Sequence, residues 1–256
     1  MVTRYRYIIL ILILASIFAI MAIMAPIPQD PEYHNFADQR TIMGIPNFWD
    51  VMSNLPMLFI GIIGLKYSIK TYTLRKDFVT RMLPVILSLG IFCAPFGSAY
   101  YHWSPDNFTL MWDRLPMTLM FMPILVLLTY DFMDSKIGTY AFYVLIPLGI
   151  FSVLYWHYTE LSGRGDLRLY AAVQFGTMLL APIMILLFYK KTSYINWIWY
   201  ILGWYILAKI AEYYDPQIYD ITGFWSGHTI KHLLGAISLI YVIRLIKVWD
   251  QGLRAT

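Results

Sequence analysis

The chain has 256 residues, of which 59% are hydrophobic, 18% aromatic and only 13% charged, with a formal net charge of +4. A soluble domain carries about 25% charged residues, so this composition excludes an ordinary soluble enzyme and points to an integral membrane protein. Continuous apolar runs of roughly 20 residues suit spanning helices and exclude the alternating strands of a membrane barrel, and the single cysteine, Cys93, excludes a disulfide framework and a thiolate metal site.

In chain order, the first apolar run covers residues 7–25, behind Arg4 and Arg6. Met24-Ala25-Pro26 is a poor small-residue cleavage site, so residues 1–25 read as a retained signal-anchor helix rather than a cleaved signal peptide. Residues 26–46 form an acidic, proline-bearing extracytoplasmic loop. Spans are then expected near residues 48–70, 82–102, 112–130, 139–158, 169–189, 197–213 and 225–248, inside a core of residues 47–250. The expected fold class is an all-α integral membrane protein, a seven-helix transmembrane core plus one N-terminal helix, eight spans in all. Pro56, Pro84, Pro95, Pro116, Pro123, Pro147 and Pro182 interrupt most core helices, where proline frees a carbonyl and can open a kink.

Basic residues orient the spans. With the N-terminus in the cytoplasm, Arg4, Arg6, Lys66, Lys70, Arg75, Lys76, Arg81, Lys136, Lys190, Lys191, Arg244, Lys247 and Arg254 fall on the cytoplasmic side. The opposite loops hold only Arg40, Arg164 and Arg168, as the positive-inside rule requires. Both termini are then cytoplasmic. The net positive charge is a topology signal, and no nucleic-acid partner is expected. Trp49, Tyr101, Trp103, Trp112, Tyr213 and Trp225 read as an aromatic belt at the outer interface.

Five polar residues land together at the outer ends of three of these spans. Ser98 and His102 close one span, Asp113 opens the next, and His228 and His232 open the last. Residues four apart share a helix face, so each of the two pairs points one way. Each motif alone is a weak signal, since serine often bonds its own helix backbone and an aspartate at a helix start is most often a cap. Ionisable residues gathered at one depth of a membrane default to a functional reading. His102, His228 and His232 form a three-nitrogen set that suits zinc with an open fourth position. Asp113 is placed as general base for a water, and Ser98 as hydrogen-bond donor to a developing oxyanion.

The same residues carry a resemblance. S-x3-H at Ser98 and His102, Asp113 eleven residues later and H-x3-H at His228 and His232 match the pattern of the alkaline ceramidase family without gaps. That family is part of a superfamily of seven-helix membrane hydrolases that includes adiponectin-type receptors and Per1-like proteins. The likeness extends to the run from Asn47 to Leu55, to Asp113–Met117 and to Lys209–Glu212. It implies zinc on the three histidines, a water held near the aspartate and hydrolysis of an amide in a membrane lipid, ceramide or a ceramide-like N-acyl lipid. The chain departs from the animal members in its extra first span and in Asn47, where they have a glutamate. Their calcium-binding segment is not reproduced. Asp30, Glu32, Asn35 and Asp38 could bind Ca2+ through oxygen ligands, against the reading of a solvated acidic loop.

Asp50, Asn54 and Glu212 lie near the same outer ends and are expected to support the metal ligands. Lys231 either meets an anionic headgroup or snorkels to the interface. His157 and Glu160 read as an interfacial cap, and His34 as a loop histidine. Two other readings stay open. One is an ester hydrolase or lipid-remodelling enzyme of the same fold; the other is a receptor or transporter with a structural zinc. The short cytoplasmic segments argue against a receptor. The lean loops suit a bacterial inner membrane, with the site facing the periplasm.

Overall fold

The computed structural model describes residues 2–255. Met1, the first residue of the expected anchor, lies outside the described residues, as do Thr256 and the side chain of Arg254. Among the described residues there are helices and turns and no strand. The helices are α1 (Val2–Ile23), α2 (Phe48–Met52), α3 (Leu55–Lys70), α4 (Phe78–Trp103), α5 (Asn107–Leu128), α6 (Ser135–Leu161), α7 (Arg168–Leu187), α8 (Ile195–Tyr213), α9 (Asp215–Thr222) and α10 (Gly227–Ala255). Aspartates begin several of them. Asp77 accepts the Thr80 amide at α4, Asp106 the Thr109 amide at α5, and Asp134 the Lys136 amide at α6.

Seven helical segments are long and apolar enough to cross a membrane: Arg4–Ile23, Phe48–Lys70, Phe78–Trp103, Asn107–Met133, Ser135–Leu161, Arg168–Leu187 and Gly227–Leu253. The all-α, membrane-protein expectation is met at that level. The remaining expected span does form a helix, α8. Its tryptophans and tyrosines, with Asn196, Lys209 and Glu212, keep its mean hydropathy below that of the other seven. The expected span over 48–70 is broken. A turn at Ser53 and Asn54, just before Pro56, separates α2 from α3. The short helix α9, before α10, had no counterpart among the expected elements.

The described chain divides into two compact units. The first contains residues 1–29 and 121–191. In it α1 packs on α7, with the Tyr7 and Phe188 rings 5.0 Å apart, and most of α1 is exposed. Arg168 donates to the carbonyls of Met21 and Met24 and so caps the end of α1, while also pairing with Asp166 at 2.7 Å. That pairing holds the Asp166 carboxyl below the usual carboxylate range, because the guanidinium hydrogen-bonds its charged form. Glu160 accepts the Gln29 amide at 2.6 Å and the Trp156 indole N–H at 3.0 Å, in keeping with a structural cap at this helix end.

The second unit contains residues 30–120 and 192–256. Its largest packing surfaces are α8 on α10 and α3 on α4. At one end Arg75 and Asp250 form a fully buried pair at 2.8 Å, supported by Tyr67 on Asp250 at 2.7 Å and Thr71 on Arg75 at 2.6 Å. The other end gathers the chemistry.

Candidate metal centre

Each of the five expected site residues lies in this second unit. His102 is in the last turn of α4, and His228 and His232 are in the first two turns of α10. Their rings converge: centroids are 4.7 Å apart for His102 and His228, 4.9 Å for His102 and His232, and 5.0 Å for His228 and His232. One ligand atom from each lies within 4.8 Å of the others, close enough to hold one metal ion. The three are buried, at 1%, 5% and 5% exposed. The donor set fits a borderline metal such as zinc, because imidazole nitrogen is its ordinary ligand. A buried Nδ1 of His102 has no hydrogen-bond partner, which leaves that nitrogen's lone pair or proton unused by the protein.

Close helix contacts bring these residues together. Gly97 sits where a Cβ would strike the carbonyl of Trp112 and approach Asp113 Cα, so only glycine lets α4 meet α5 here. The next residue, Ser98, is buried one turn before His102 on α4. Gly227 likewise lies against the Ala211 carbonyl and Asp215, which seats the start of α10 on the end of α8.

Carboxylates anchor the first turn of α10, where free amides and the helix dipole favour negative charge. Asp215 accepts the His228 amide at 2.7 Å, and Ser226 caps the helix through the Thr229 amide at 2.9 Å. Asp50, 0% exposed, accepts hydroxyl hydrogen bonds from Thr229 at 2.6 Å and from Ser226 at 3.3 Å. Asn54 donates to the Asp50 carbonyl at 2.9 Å. The break between α2 and α3 has a direct use. Ser53 donates to the Asp50 carbonyl at 3.1 Å, so its oxygen accepts from His232 Nδ1 at 2.7 Å. That assignment leaves Nε2 of His232 as its free ligand atom.

Asn47, in the left-handed region with φ of 45°, donates through its amide to the His102 carbonyl at 2.8 Å. Lys231 neither reaches out to the interface nor stands alone. Its Nζ pairs with Glu212 at 2.6 Å and sits 3.2 Å from His228 Nε2. Glu212 also pairs with Lys209 and accepts from the Tyr33 hydroxyl at 3.2 Å.

Residues 31–38 roof the histidines. The Phe36 ring lies 4.6 Å from the His102 ring and 4.9 Å from that of His228, and Phe36 is itself 4% exposed. His34 bonds Tyr101 at 2.9 Å and Asn107 at 3.1 Å, and the Ala37 amide donates to Asp215 at 3.0 Å. The acids of this loop that could have served calcium already have partners within it. Asp38 is gripped by Arg40 at 2.7 Å, Asp30 accepts the Glu32 amide, and Glu32 accepts from Asn35. Asp30, Glu32 and Asp38 do not form a group whose ligand atoms could share an ion. The Arg40 guanidinium is correspondingly held above its ordinary pKa by the Asp38 carboxylate.

Ser53, Asn47, Phe36 and Asp215 were not singled out from the sequence. Asn47 and Ser53 stand inside the run that carries the family likeness, which was the one signal available for them. Compared with family models and with curated proteins, the chain matches none.

Proposed function

We propose that the protein is a metal-dependent membrane hydrolase of the alkaline ceramidase type, cutting the amide of an N-acyl lipid to a fatty acid and an amine lipid. The observation that carries this reading is three buried histidines, with ligand atoms within 4.8 Å of one another, in the same unit as Asp113, whose Cα lies beside Gly97 where α4 meets α5. His102, His228 and His232 would hold the metal, zinc by the chemistry of three imidazole nitrogens, and when bound it would supply an activated water and a Lewis acid for the scissile carbonyl.

The chain's own residues do the rest. Asp113 takes the proton from the attacking water as the C–O bond forms, and returns it to the nitrogen as the C–N bond breaks. Ser98, next to Gly97 where α4 meets α5, offers its one proton to the developing oxyanion. Lys231, held by Glu212, adds positive charge beside His228. The roof of Tyr33, His34 and Phe36 keeps bulk water from the reacting carbonyl. The distribution of basic residues supports an orientation with this end of the molecule extracytoplasmic and both termini in the cytoplasm, and the lean loops suit a bacterial inner membrane.

The test is to purify the protein in lipid, measure bound metal, and assay fatty-acid release from amide and ester lipids. Equimolar zinc and release from N-acyl lipids, both lost in His228→Ala, are expected. Absence of any bound metal, or full activity in His228→Ala, overturns the reading. Preference for glycerolipid esters would reassign the substrate while keeping the chemistry.

A further inference from the structure

Beside the histidines, a cavity of about 400 Å3 lies where the break between α2 and α3 faces α10. Trp49, Met52, Pro56, Trp225 and Leu233 form much of its wall. Ser53 also lines it, and the Ser53 hydroxyl bonds His232, so one side chain borders both the apolar cavity and the metal ligands. We infer that this cavity seats an acyl chain of the lipid whose amide is cut, an inference that rests on the hydrolase reading above.

Three observations select an acyl chain as occupant. The wall offers almost no polar surface apart from Ser53, so a peptide or headgroup would lose its hydrogen bonds there. The volume falls in the range of small-ligand sites, about 300–1,000 Å3, and is too small for a helix. The mouth is flanked by the exposed side chains of Leu55 and Leu233, on segments apolar enough to lie in a bilayer. The roof of residues 31–38 closes over the histidines with Phe36, whereas Ser53 stands between the cavity that it lines and His232. A chain lying along Met52 and Leu233 would lead its carbonyl toward His232. A chain entering from the bilayer is already out of water, so the cavity selects it by length and fit rather than by hydrophobic burial.

The experiment uses the full chain in lipid nanodiscs and an N-acyl lipid with a diazirine in its acyl chain. Photolysis and peptide mapping are expected to find label on Met52 and Leu233. Leu233→Trp, which fills the cavity, should cut that labelling and lower the ratio of long-chain to short-chain kcat/KM about tenfold. Leu233→Ala, which widens the cavity and keeps the test alive if the tryptophan variant does not fold, should raise the ratio for longer chains. Labelling confined to outward residues such as Phe59 and Ile63, or a ratio unmoved by both substitutions, overturns the inference. If no lipid is hydrolysed by wild type, the hydrolase reading fails, and the labelling pattern alone then decides whether the cavity holds a chain.

Discussion

Ser53→Ala isolates the contribution of a residue that holds a ligand without being one. The substitution removes the oxygen that accepts from His232 Nδ1 at 2.7 Å and the donor to the Asp50 carbonyl at 3.1 Å. Two effects separate. Without metal, losing one buried hydrogen bond costs about 1 kcal/mol of stability. With metal, an outer partner of a ligating histidine is worth roughly 10–100-fold in affinity, which is about 1.4–2.7 kcal/mol. The lower end applies here, because a neutral hydroxyl is a weaker partner for the ring than a carboxylate. The expected result is a zinc Kd raised about tenfold in a chelator-competition titration, with the metal-free protein only slightly less stable to heat. A Kd within twofold of wild type, in a protein whose His232→Ala variant binds no zinc, refutes the argument that this hydrogen bond sets the ligand's tautomer and orientation.

Gly97→Ala should cost about 1–3 kcal/mol by overpacking against the Trp112 carbonyl and should lower activity by parting Ser98 from Asp113; Gly203→Ala, where an added methyl meets nothing within 4 Å, serves as the thermal-unfolding control. Phe36→Ala opens the roof, so release of metal to an added chelator should accelerate in stopped-flow measurements while the circular dichroism of the helices is unchanged. His228→Ala, or removal of metal with a chelator, should abolish fatty-acid release, and added zinc should restore activity only to the stripped wild type. Asp166 is held below its ordinary pKa by Arg168, so its stabilisation is complete above about pH 4 and is lost as pH falls through the depressed value. Asp166→Asn should therefore flatten the acid side of the stability profile, measured by thermal unfolding from pH 5 downward.

The spans and the histidines were legible because both signals are local. A run of apolar residues declares a helix that lipid can surround, and H-x3-H declares a shared helix face. His102 meets His228 and His232 because helix ends at one depth have little choice of neighbours. Ser53 was illegible for the opposite reason. Its partner is 179 residues away, and nothing local distinguishes a serine that holds a histidine from one that bonds its own helix. The break at Ser53 and Asn54 follows Pro56 only in part, since the other core prolines lie within continuous helices such as α4, α6 and α7. For the loop acids, composition counts carboxylates but not the cation already on them; Arg40, two residues from Asp38, grips that one. For Lys231, between a headgroup and the interface, the sequence offered no choice, because Glu212, the partner it meets, is on another helix.

The order of the centre's parts along the chain sets an order for its biogenesis. The roof, Asn47, Ser53 and His102 leave the ribosome early, while His228 and His232 arrive with the last helix. Until α10 inserts, only one of the three clustered histidines is present, so the three-nitrogen set cannot form on the growing chain. Once α10 docks, the Asp215 carboxylate takes both the His228 amide and the Ala37 amide, which fastens the roof and the new helix through one side chain. Metal that arrives before the roof is fastened meets an open set of histidines, whereas a protein that closes first would take up metal only as fast as the roof opens.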